Sequence, residues 1–215
     1  MTPQELAAQL RCPTGADAAA VGEQMSVANG GVICRGISAL ALRAGDAVLE
    51  IGPGDAAFAG DITGAADGIR YTGLDWSADM VAAARARNPA LLAAGQAEFL
   101  QGSSEAMPLP DAAFDKVLSV NTIYFWEAPV RHLAEVARVL KPQGRFCLVF
   151  GDAGFMSGLP FTSWGFSLHD AGSAEALLAQ AGLRVVARDI HREQGVSNSG
   201  AVVDKQFHVL VCAHA

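Results

Sequence analysis

Ala47-Val-Leu-Glu-Ile-Gly-Pro-Gly-Asp-Ala56 is the stretch of the sequence that decides the fold. Its first half is an apolar β-type run, which breaks into Gly52-Pro53-Gly54 and is followed by an alanine-rich helical pattern from Ala56. This order predicts a strand, a tight turn and a helix, as in the first unit of a nucleotide-binding α/β fold. Glycine at 52 allows a sharp turn, and glycine at 54 leaves bare main chain for a ligand.

A second predicted strand runs from Ile69 to Asp75 and ends on a carboxylate. It follows the glycine turn by roughly twenty residues, the spacing at which nucleotide-binding folds place a carboxylate that accepts the ribose hydroxyls. Ser77 is suited to cap the next helix, which carries Met80.

The glycines alone leave two ligands open. Gly52-x-Gly54-x-x-Ala57 fits a dinucleotide fingerprint, and Glu50-x-Gly52-x-Gly54-x-Ala56 fits a loop that binds S-adenosylmethionine (SAM). Glu50 and Asp55 flank the turn, and their carboxylates would oppose a pyrophosphate, because unit charges 4 Å apart interact by about 4 kcal/mol at an effective dielectric of 20. The sulfonium and ammonium groups of SAM suit this acidic site, so the charges favour SAM. Asp55 fits a helix N-cap equally well.

Composition and charge narrow the class of protein. The length of 215 residues suits one domain with an N-terminal elaboration, and no uncharged apolar stretch is long enough to span a membrane. The first residues lack the pattern of a signal peptide, and four scattered cysteines favour free thiols and a cytoplasmic location. We expect no metal site, because no His/Cys/carboxylate cluster has zinc spacing. A net charge of −7 disfavours nucleic acid as a partner and predicts a small, neutral or cationic substrate.

The segment before the first strand is predicted to be helical. Thr2-Pro3-Gln4-Glu5 has the form of a capping box and starts a helix that runs to about Arg11. A second helix is expected from Ala16 to Asn29, a break at Gly30-Gly31, and a third helix from Val32 to Leu42. Two roles remain open for this segment: a lid over a pocket, or a cover for the sheet.

The rest of the chain alternates strands and helices. This pattern specifies an α/β fold with a doubly wound, Rossmann-like, mostly parallel sheet of seven strands and an antiparallel terminal hairpin. Residues 1–44 form the N-terminal helices, 45–150 the cofactor-binding core, and 151–215 a substrate-side loop, a helix and the closing hairpin. The further strands and helices are predicted at Ala97–Gln101, Lys116–Val120, Pro129–Leu140, Arg145–Phe150, Ala171–Ala181, Arg184–Asp189 and Gln206–Cys212, with a polar link over Arg192–Gly200. The long loop over 151–167 is expected to be functional.

Between about Asp46 and Phe150 the chain resembles a class I SAM-dependent methyltransferase, of the small-molecule branch that includes the ubiquinone/menaquinone C-methylases. The resemblance rests on four motifs in the family's order and spacing. They are Val48-Leu-Glu-Ile-Gly-Pro-Gly54, Gly73-Leu-Asp-Trp-Ser77, Gly102-Ser-Ser-Glu-Ala-Met-Pro108 with Phe114-Asp115, and Arg138-Val-Leu-Lys-Pro-Gln-Gly144.

The resemblance implies a set of residues that contact SAM and its product S-adenosylhomocysteine. Glu50 would lie near the ammonium group, Asp75 would accept both ribose hydroxyls, and Trp76 would lie beside the adenine. The family usually has aspartate at the position of Ser103, and the loss of that charge predicts weaker SAM binding. It usually has glycine at the position of Ala56, where alanine is a mild departure. The complete predicted set is Glu50, Ile51, Gly52, Pro53, Gly54, Asp75, Trp76, Met80, Ser103, Ser104 and Asn121.

The end of the fourth strand is where the methyl acceptor is expected. The crevice of such a sheet lies at the carboxyl ends of the strands, which places Asn121-Thr-Ile-Tyr-Phe-Trp126 beside the methyl group. Tyr124 or Trp126 is a candidate for an aromatic wall, whereas Phe125 is expected to pack under the following helix. His169 is the one histidine considered as a base, although a surface or capping role fits its position better. The other histidines, His132 among them, are assigned to solvated positions.

The sequence therefore predicts a SAM-dependent methyltransferase that acts on a small molecule by in-line displacement. Two alternatives stay open: an NAD-dependent oxidoreductase, and a SAM-binding protein without transferase activity. The acceptor atom, the use of a base and the oligomeric state are not decided by the sequence.

Overall fold

The computed structural model describes residues 1–197 and 199–215. Helices precede the first strand, as predicted, and then alternate with strands along the chain. The helices are α1 (Pro3–Arg11), α2 (Ala18–Ala39), α3 (Ala59–Thr63), α4 (Ala78–Arg87), α5 (Pro89–Ala93), α6 (Pro129–Val139), α7 (Ala153–Met156) and α8 (Ala171–Gln180). The strands are β1 (Ala47–Ile51), β2 (Arg70–Asp75), β3 (Ala97–Gln101), β4 (Phe114–Val120), β5 (Leu140–Gly151), β6 (Leu183–Val196) and β7 (Val202–His214).

The strands form one sheet in the order β3-β2-β1-β4-β5-β7-β6. Strands β1 to β5 are parallel, and β7 pairs antiparallel with both β5 and β6, so the predicted doubly wound sheet with a terminal hairpin is confirmed. Every residue of β1 is buried, because helices cover both faces of the sheet. The chain order reverses between β1 and β4, which opens a crevice at their carboxyl ends.

The N-terminal segment contains one long helix where two were predicted. The prediction of a break at Gly30-Gly31 was wrong, since α2 continues through both glycines. A Cβ atom on Gly31 would lie 2.2 Å from the Glu193 carboxylate, and one on Gly36 would lie 3.1 Å from both Leu118 and Val149. These glycines of α2 therefore mark close packing of the helix against the sheet and the terminal hairpin.

The segments around β1 and β5 also differ from the sequence prediction. The helix expected from Ala56 begins only at Ala59, because Ala56 has a left-handed backbone with φ of 50°. The strand predicted at Arg145–Phe150 begins five residues earlier, as β5, with a register shift against β4 between Phe114 and Lys116.

The closing hairpin is longer than the sequence indicated. Most of the polar stretch predicted as a link, 192–200, belongs to strand β6, which alternates between exposed and partly buried residues. The hairpin extends past the end of β5 and contacts α2, where Arg35 pairs with Asp189 at 2.6 Å. None of the described helices is both long and apolar enough to cross a membrane.

Replacing Gly36 with valine should lower the free energy of unfolding by about 2 kcal/mol, because the added methyl groups would overpack against two fully buried side chains. Urea titration followed by circular dichroism measures the change. The control is Gly60→Val in α3, where a Cβ atom meets nothing within 4 Å. Equal effects at the two positions would contradict tight packing of α2 on the sheet.

Candidate active site

A cavity of about 420 Å³ opens at the carboxyl ends of β1, β2 and β4 and is covered by residues of α1 and α2. We name it the cofactor cavity. Its volume lies within the range of small-molecule and cofactor sites. The structure brings together in its lining all eleven residues that the sequence assigned to cofactor binding: Glu50, Ile51, Gly52, Pro53, Gly54, Asp75, Trp76, Met80, Ser103, Ser104 and Asn121.

The glycine turn gives the cavity a floor of bare backbone. Gly52 and Gly54 both have left-handed backbones, with φ of 69° and 59°. A Cβ atom on Gly52 would lie 2.5 Å from the Thr122 side chain, whereas one on Gly54 would meet no atom within 4 Å. Helix α3 starts five residues after Gly54 and is itself five residues long. The turn therefore presents open main chain without a helix N-terminus directly behind it, which disfavours a pyrophosphate.

Glu50 is buried at the end of β1, where its carboxylate accepts a hydrogen bond of 2.7 Å from the Tyr71 hydroxyl. Among the described residues no basic side chain forms an ion pair with it. Burial raises the pKa of Glu50 to about 7, against a lowering by the Tyr71 hydrogen bond. A cationic ligand in the cavity would restore the ionised form of this carboxylate.

Asp75 ends β2 and accepts two backbone hydrogen bonds, from Gly54 at 3.0 Å and from Ser77 at 2.8 Å. Burial raises the pKa of Asp75, and these amides oppose that shift. Each carboxylate oxygen has a second lone pair. Asp75 can therefore accept further hydrogen bonds from hydroxyl groups in the cavity.

Asp55 has a role that the sequence did not reveal. It is buried, it is not part of the cavity lining, and it forms an ion pair of 2.8 Å with Arg87 and accepts a hydrogen bond from Ser26. It is not a helix N-cap, because α3 begins only at Ala59. The charge argument against a pyrophosphate therefore rests on Glu50 alone.

The loop after β3 is supported by a histidine that sequence reasoning missed. His132 on α6 is buried, lines the cavity and lies with its Nδ1 atom 2.8 Å from the Ser104 hydroxyl. Its ring stacks on Trp126 with centroids 5.0 Å apart, and burial lowers its pKa. The assignment of His132 to a solvated position was wrong. Its place in the apolar helix pattern was a signal for burial, but only the fold shows its contact with Ser104.

The mouth of the cavity lies under α1. Trp76 is half exposed, and the guanidinium of Arg11 lies 5.4 Å from its ring centre. Arg11 also pairs with Glu127 at 2.7 Å. These contacts join α1 to the ends of β2 and β4, where a planar group beside Trp76 would be covered by the N-terminal segment.

A second, smaller cavity of about 70 Å³ adjoins the first, and we name it the chamber. Its lining is mostly aromatic and aliphatic and comes from α1, α2, the segment after β4, the loop over 153–166 and the terminal hairpin. The two cavities share five lining residues, here called the neck. The neck consists of Leu10, Met25, Asn29, Asn121 and Phe125.

The neck contains a connected set of hydrogen bonds. Asn121 has a left-handed backbone with φ of 58°, donates to Asn29 at 3.2 Å and accepts from the Tyr124 hydroxyl at 2.9 Å. The same hydroxyl accepts from the backbone amide of Gly151. Such a backbone is costly for a non-glycine residue, and contacts from three elements hold it in place.

The three candidate catalytic residues lie in different places. Tyr124 lines the chamber, Trp126 lines the cofactor cavity, and His169 lines neither. The expectation that Phe125 packs under the helix was wrong, because its ring lies at the neck against Phe166. Burial raises the pKa of Tyr124 and lowers that of His169. Within the described ranges no group of three or more metal-ligating side chains occurs.

Replacing Glu50 with glutamine should stabilise the ligand-free protein at pH 8. The pKa of this carboxyl group rises from 4.5 to about 7 on folding. Between these two pH values the folded state binds more protons than the unfolded state, so the free energy of unfolding falls as the pH increases. The free energy of unfolding of the variant should exceed that of the wild type by roughly 3 kcal/mol at pH 8 and by little at pH 5. Denaturant titrations at both pH values measure this difference.

Glu98→Gln is the matched control, since Glu98 accepts a similar hydroxyl hydrogen bond, from Thr72, at an exposed position of the same sheet. A Glu50→Gln stability difference that does not depend on pH would contradict the burial of an ionisable group at the turn.

The site can now be compared with known proteins. Residues 49–148 match the methyltransferase domain family Methyltransf_11. The fatty-acid O-methyltransferase of Mycolicibacterium smegmatis is 36% identical over 127 residues, which are 59% of this chain and 43% of that protein. The ubiquinone/menaquinone biosynthesis C-methyltransferase UbiE of Methylobacterium nodulans is 40% identical over 100 residues, 46% of this chain and 39% of that protein. The chain thus spans less than half the length of these two curated relatives.

Solved structures show the same fold at low identity. A SAM-dependent methyltransferase from Aquifex aeolicus superposes with a TM-score of 0.64 at 18% identity, covering 99% of this chain and 98% of that one. The [4+2]-cyclase SpnF superposes with a TM-score of 0.69 at 19% identity, covering 84% and 78%. These matches confirm the predicted resemblance to SAM-dependent methyltransferases, and residues 49–148 are the part of this chain that matches the family model.

Proposed function

We propose that the chain is a SAM-dependent methyltransferase that transfers a methyl group to a small-molecule acceptor by in-line displacement. One observation carries the proposal: a cofactor cavity lined by the buried carboxylate of Glu50 shares the five residues of the neck with a separate apolar chamber. Two cavities that share a wall suit a reaction in which two bound molecules meet. Relatives named for fatty-acid and quinone methylation support a small acceptor.

The residues of the cofactor cavity fit SAM. Glu50, a buried carboxylate without a described basic partner, would pair with the ammonium group, and Asp75 would accept the ribose hydroxyls. The bare backbone at Gly54 would lie against the methionine part, while Ser103 and Ser104 would meet the adenine. When bound, SAM supplies an electrophilic methyl group on its sulfonium.

The chamber would hold the acceptor so that its nucleophilic atom lies at the neck. The side chains of the neck come from α1, α2 and the segment after β4, and they surround the passage between the two cavities. Positioning and exclusion of water supply much of the catalysis of a displacement at a methyl group. The lid role of residues 1–44 is part of this proposal, and the helices α1 and α2 that line both cavities support it.

A general base is not part of the proposal. His169 lines neither cavity, the raised pKa of Tyr124 disfavours its ionisation, and the two polar groups of the neck are the amides of Asn29 and Asn121. The acceptor would therefore carry an atom that is nucleophilic without help. The same observation favours a second candidate function, SAM binding without methyl transfer, and the [4+2]-cyclase with this fold is named for a different reaction.

Calorimetric titration with SAM, S-adenosylhomocysteine and NAD tests the cofactor. We expect the two SAM-type ligands to bind and NAD not to bind. Asp75→Ala should weaken SAM binding at least tenfold, because a hydrogen bond to a charged group is worth about 1.5–3 kcal/mol. Asp61→Ala, which removes an exposed carboxylate of α3, is the control and should leave the affinity unchanged.

Three outcomes would contradict parts of the proposed function. Binding of NAD alone would reject the methyltransferase and support an oxidoreductase. Unchanged SAM affinity in a folded Asp75→Ala variant would remove that residue from the site. Binding of SAM without transfer of a labelled methyl group to any member of a small-molecule library would favour the second candidate function.

A further inference from the structure

The two cavities differ sharply in the charge of their walls. The cofactor cavity is lined by four carboxylates, those of Glu50, Asp75, Glu105 and Glu127, and by a single basic residue, Arg11. No carboxylate is among the described residues that line the chamber, although the chain as a whole carries a net charge of −7. The one charged residue among those chamber residues is Lys205. The one charge among the described residues that line the chamber is therefore positive, in contrast to the carboxylates of the cofactor cavity.

Lys205 is a costly residue to bury. It lies on β7, its side chain is 5% exposed, and the chamber around it contains five phenylalanines. Removing an ammonium group from water is unfavourable unless its donors find partners. Its amine donates to the carbonyl oxygen of Ala28 on α2 and lies 3.5 Å from a Glu193 carboxylate oxygen.

These two partners leave the amine incompletely satisfied. An ammonium group has three donors, and the 3.5 Å separation from Glu193 exceeds an ordinary hydrogen bond of this type. The other oxygen of the Glu193 carboxylate lies 2.9 Å from the Nε2 atom of His191, so that this carboxylate is shared. Within the described contacts, the amine makes one hydrogen bond and one longer ion-pair contact, so its donors are not all used; Lys205 lines both the chamber and a third cavity.

The position of Lys205 indicates which part of a ligand it would contact. Lys205 lines the chamber and does not line the cofactor cavity, whereas Asn29 and Asn121 line both. A group bound to Lys205 would thus be held apart from the atom at the neck that receives the methyl group. A volume of about 70 Å³ is that of two to three waters at roughly 30 Å³ each, which suits a short chain and not a ring.

We propose that the acceptor carries an anionic group on a short apolar chain, and that Lys205 binds this group on the side of the chamber away from the neck. The inference rests on the proposed function in one respect, that the chamber is the acceptor site. The net charge of the chain predicted a neutral or cationic substrate. An anionic substrate replaces that expectation, because the binding energy depends on the charges next to the ligand.

A matched pair of probes tests the proposal. Propanoate and 1-propanol have the same number of carbon atoms and differ in a carboxylate against a hydroxymethyl group. Their affinities are measured by ligand-observed NMR at neutral pH, with and without S-adenosylhomocysteine. We expect the wild type to bind the carboxylate about tenfold more tightly, as a charge-assisted hydrogen bond in a water-poor site provides.

Two variants should change this ratio in opposite directions. Lys205→Met should reduce it to about one, because the cation is replaced by an apolar chain of similar length. Glu193→Gln should increase it, because the carboxylate that competes for the amine is removed. Lys141→Met is the control for net charge. That lysine pairs with Asp115 and lines neither cavity, so its replacement should leave the ratio unchanged.

Equal affinity of the two probes in the wild type, or a ratio that persists in Lys205→Met, would overturn the proposal. If Lys205→Met does not fold, an unchanged or smaller ratio in Glu193→Gln would overturn it instead. S-adenosylhomocysteine binding, measured separately, keeps the two proposals apart. If S-adenosylhomocysteine does not bind but the carboxylate is still preferred, the methyltransferase is rejected and the anion site is supported. If S-adenosylhomocysteine binds but the carboxylate is not preferred, the anion site alone is rejected.

Discussion

The site depends on a steric constraint at position 52. The chain leaves β1 with a left-handed backbone, and any Cβ atom there would overlap the side chain of Thr122 at the end of β4. Only glycine meets both conditions. The turn can therefore pass directly under the end of β4, which brings the carboxyl ends of β1 and β4 together. Glu50, the neck and the cofactor cavity all take their positions from this close approach.

The parts of the fold that were predictable from sequence are those with local chemical requirements. A strand buried on both faces, a serine cap at Ser77 and a carboxylate ending β2 each need particular residues at a particular spacing. The errors concern residues whose role depends on a distant partner. The Gly30-Gly31 pair was predicted to break a helix, but it lies inside α2. Asp55 was compatible with a helix cap, but it pairs with Arg87. His132 was predicted to be solvated, but it contacts Ser104.

The separation of charges between the two cavities follows from how each is built. Carboxylates reach the cofactor cavity at strand ends, where backbone amides and hydroxyl groups of the sheet are available to solvate them. The chamber is built from side chains of helices, a loop and a hairpin, which offer few free backbone donors. Lys205 is the one charged residue among the described residues of the chamber lining, and Glu193 lies 3.5 Å from its amine outside that lining.

The chamber is also assembled from the two ends of the chain. Lys205 and Ala28, which meet at its wall, are separated by 177 positions, and most other residues of its lining lie outside the segment 49–148 that matches the family model. The cofactor cavity is formed chiefly by the segment between them. Changes near either terminus can thus alter the shape of the chamber while leaving most of the lining of the cofactor cavity unchanged, so the two cavities are able to evolve almost independently.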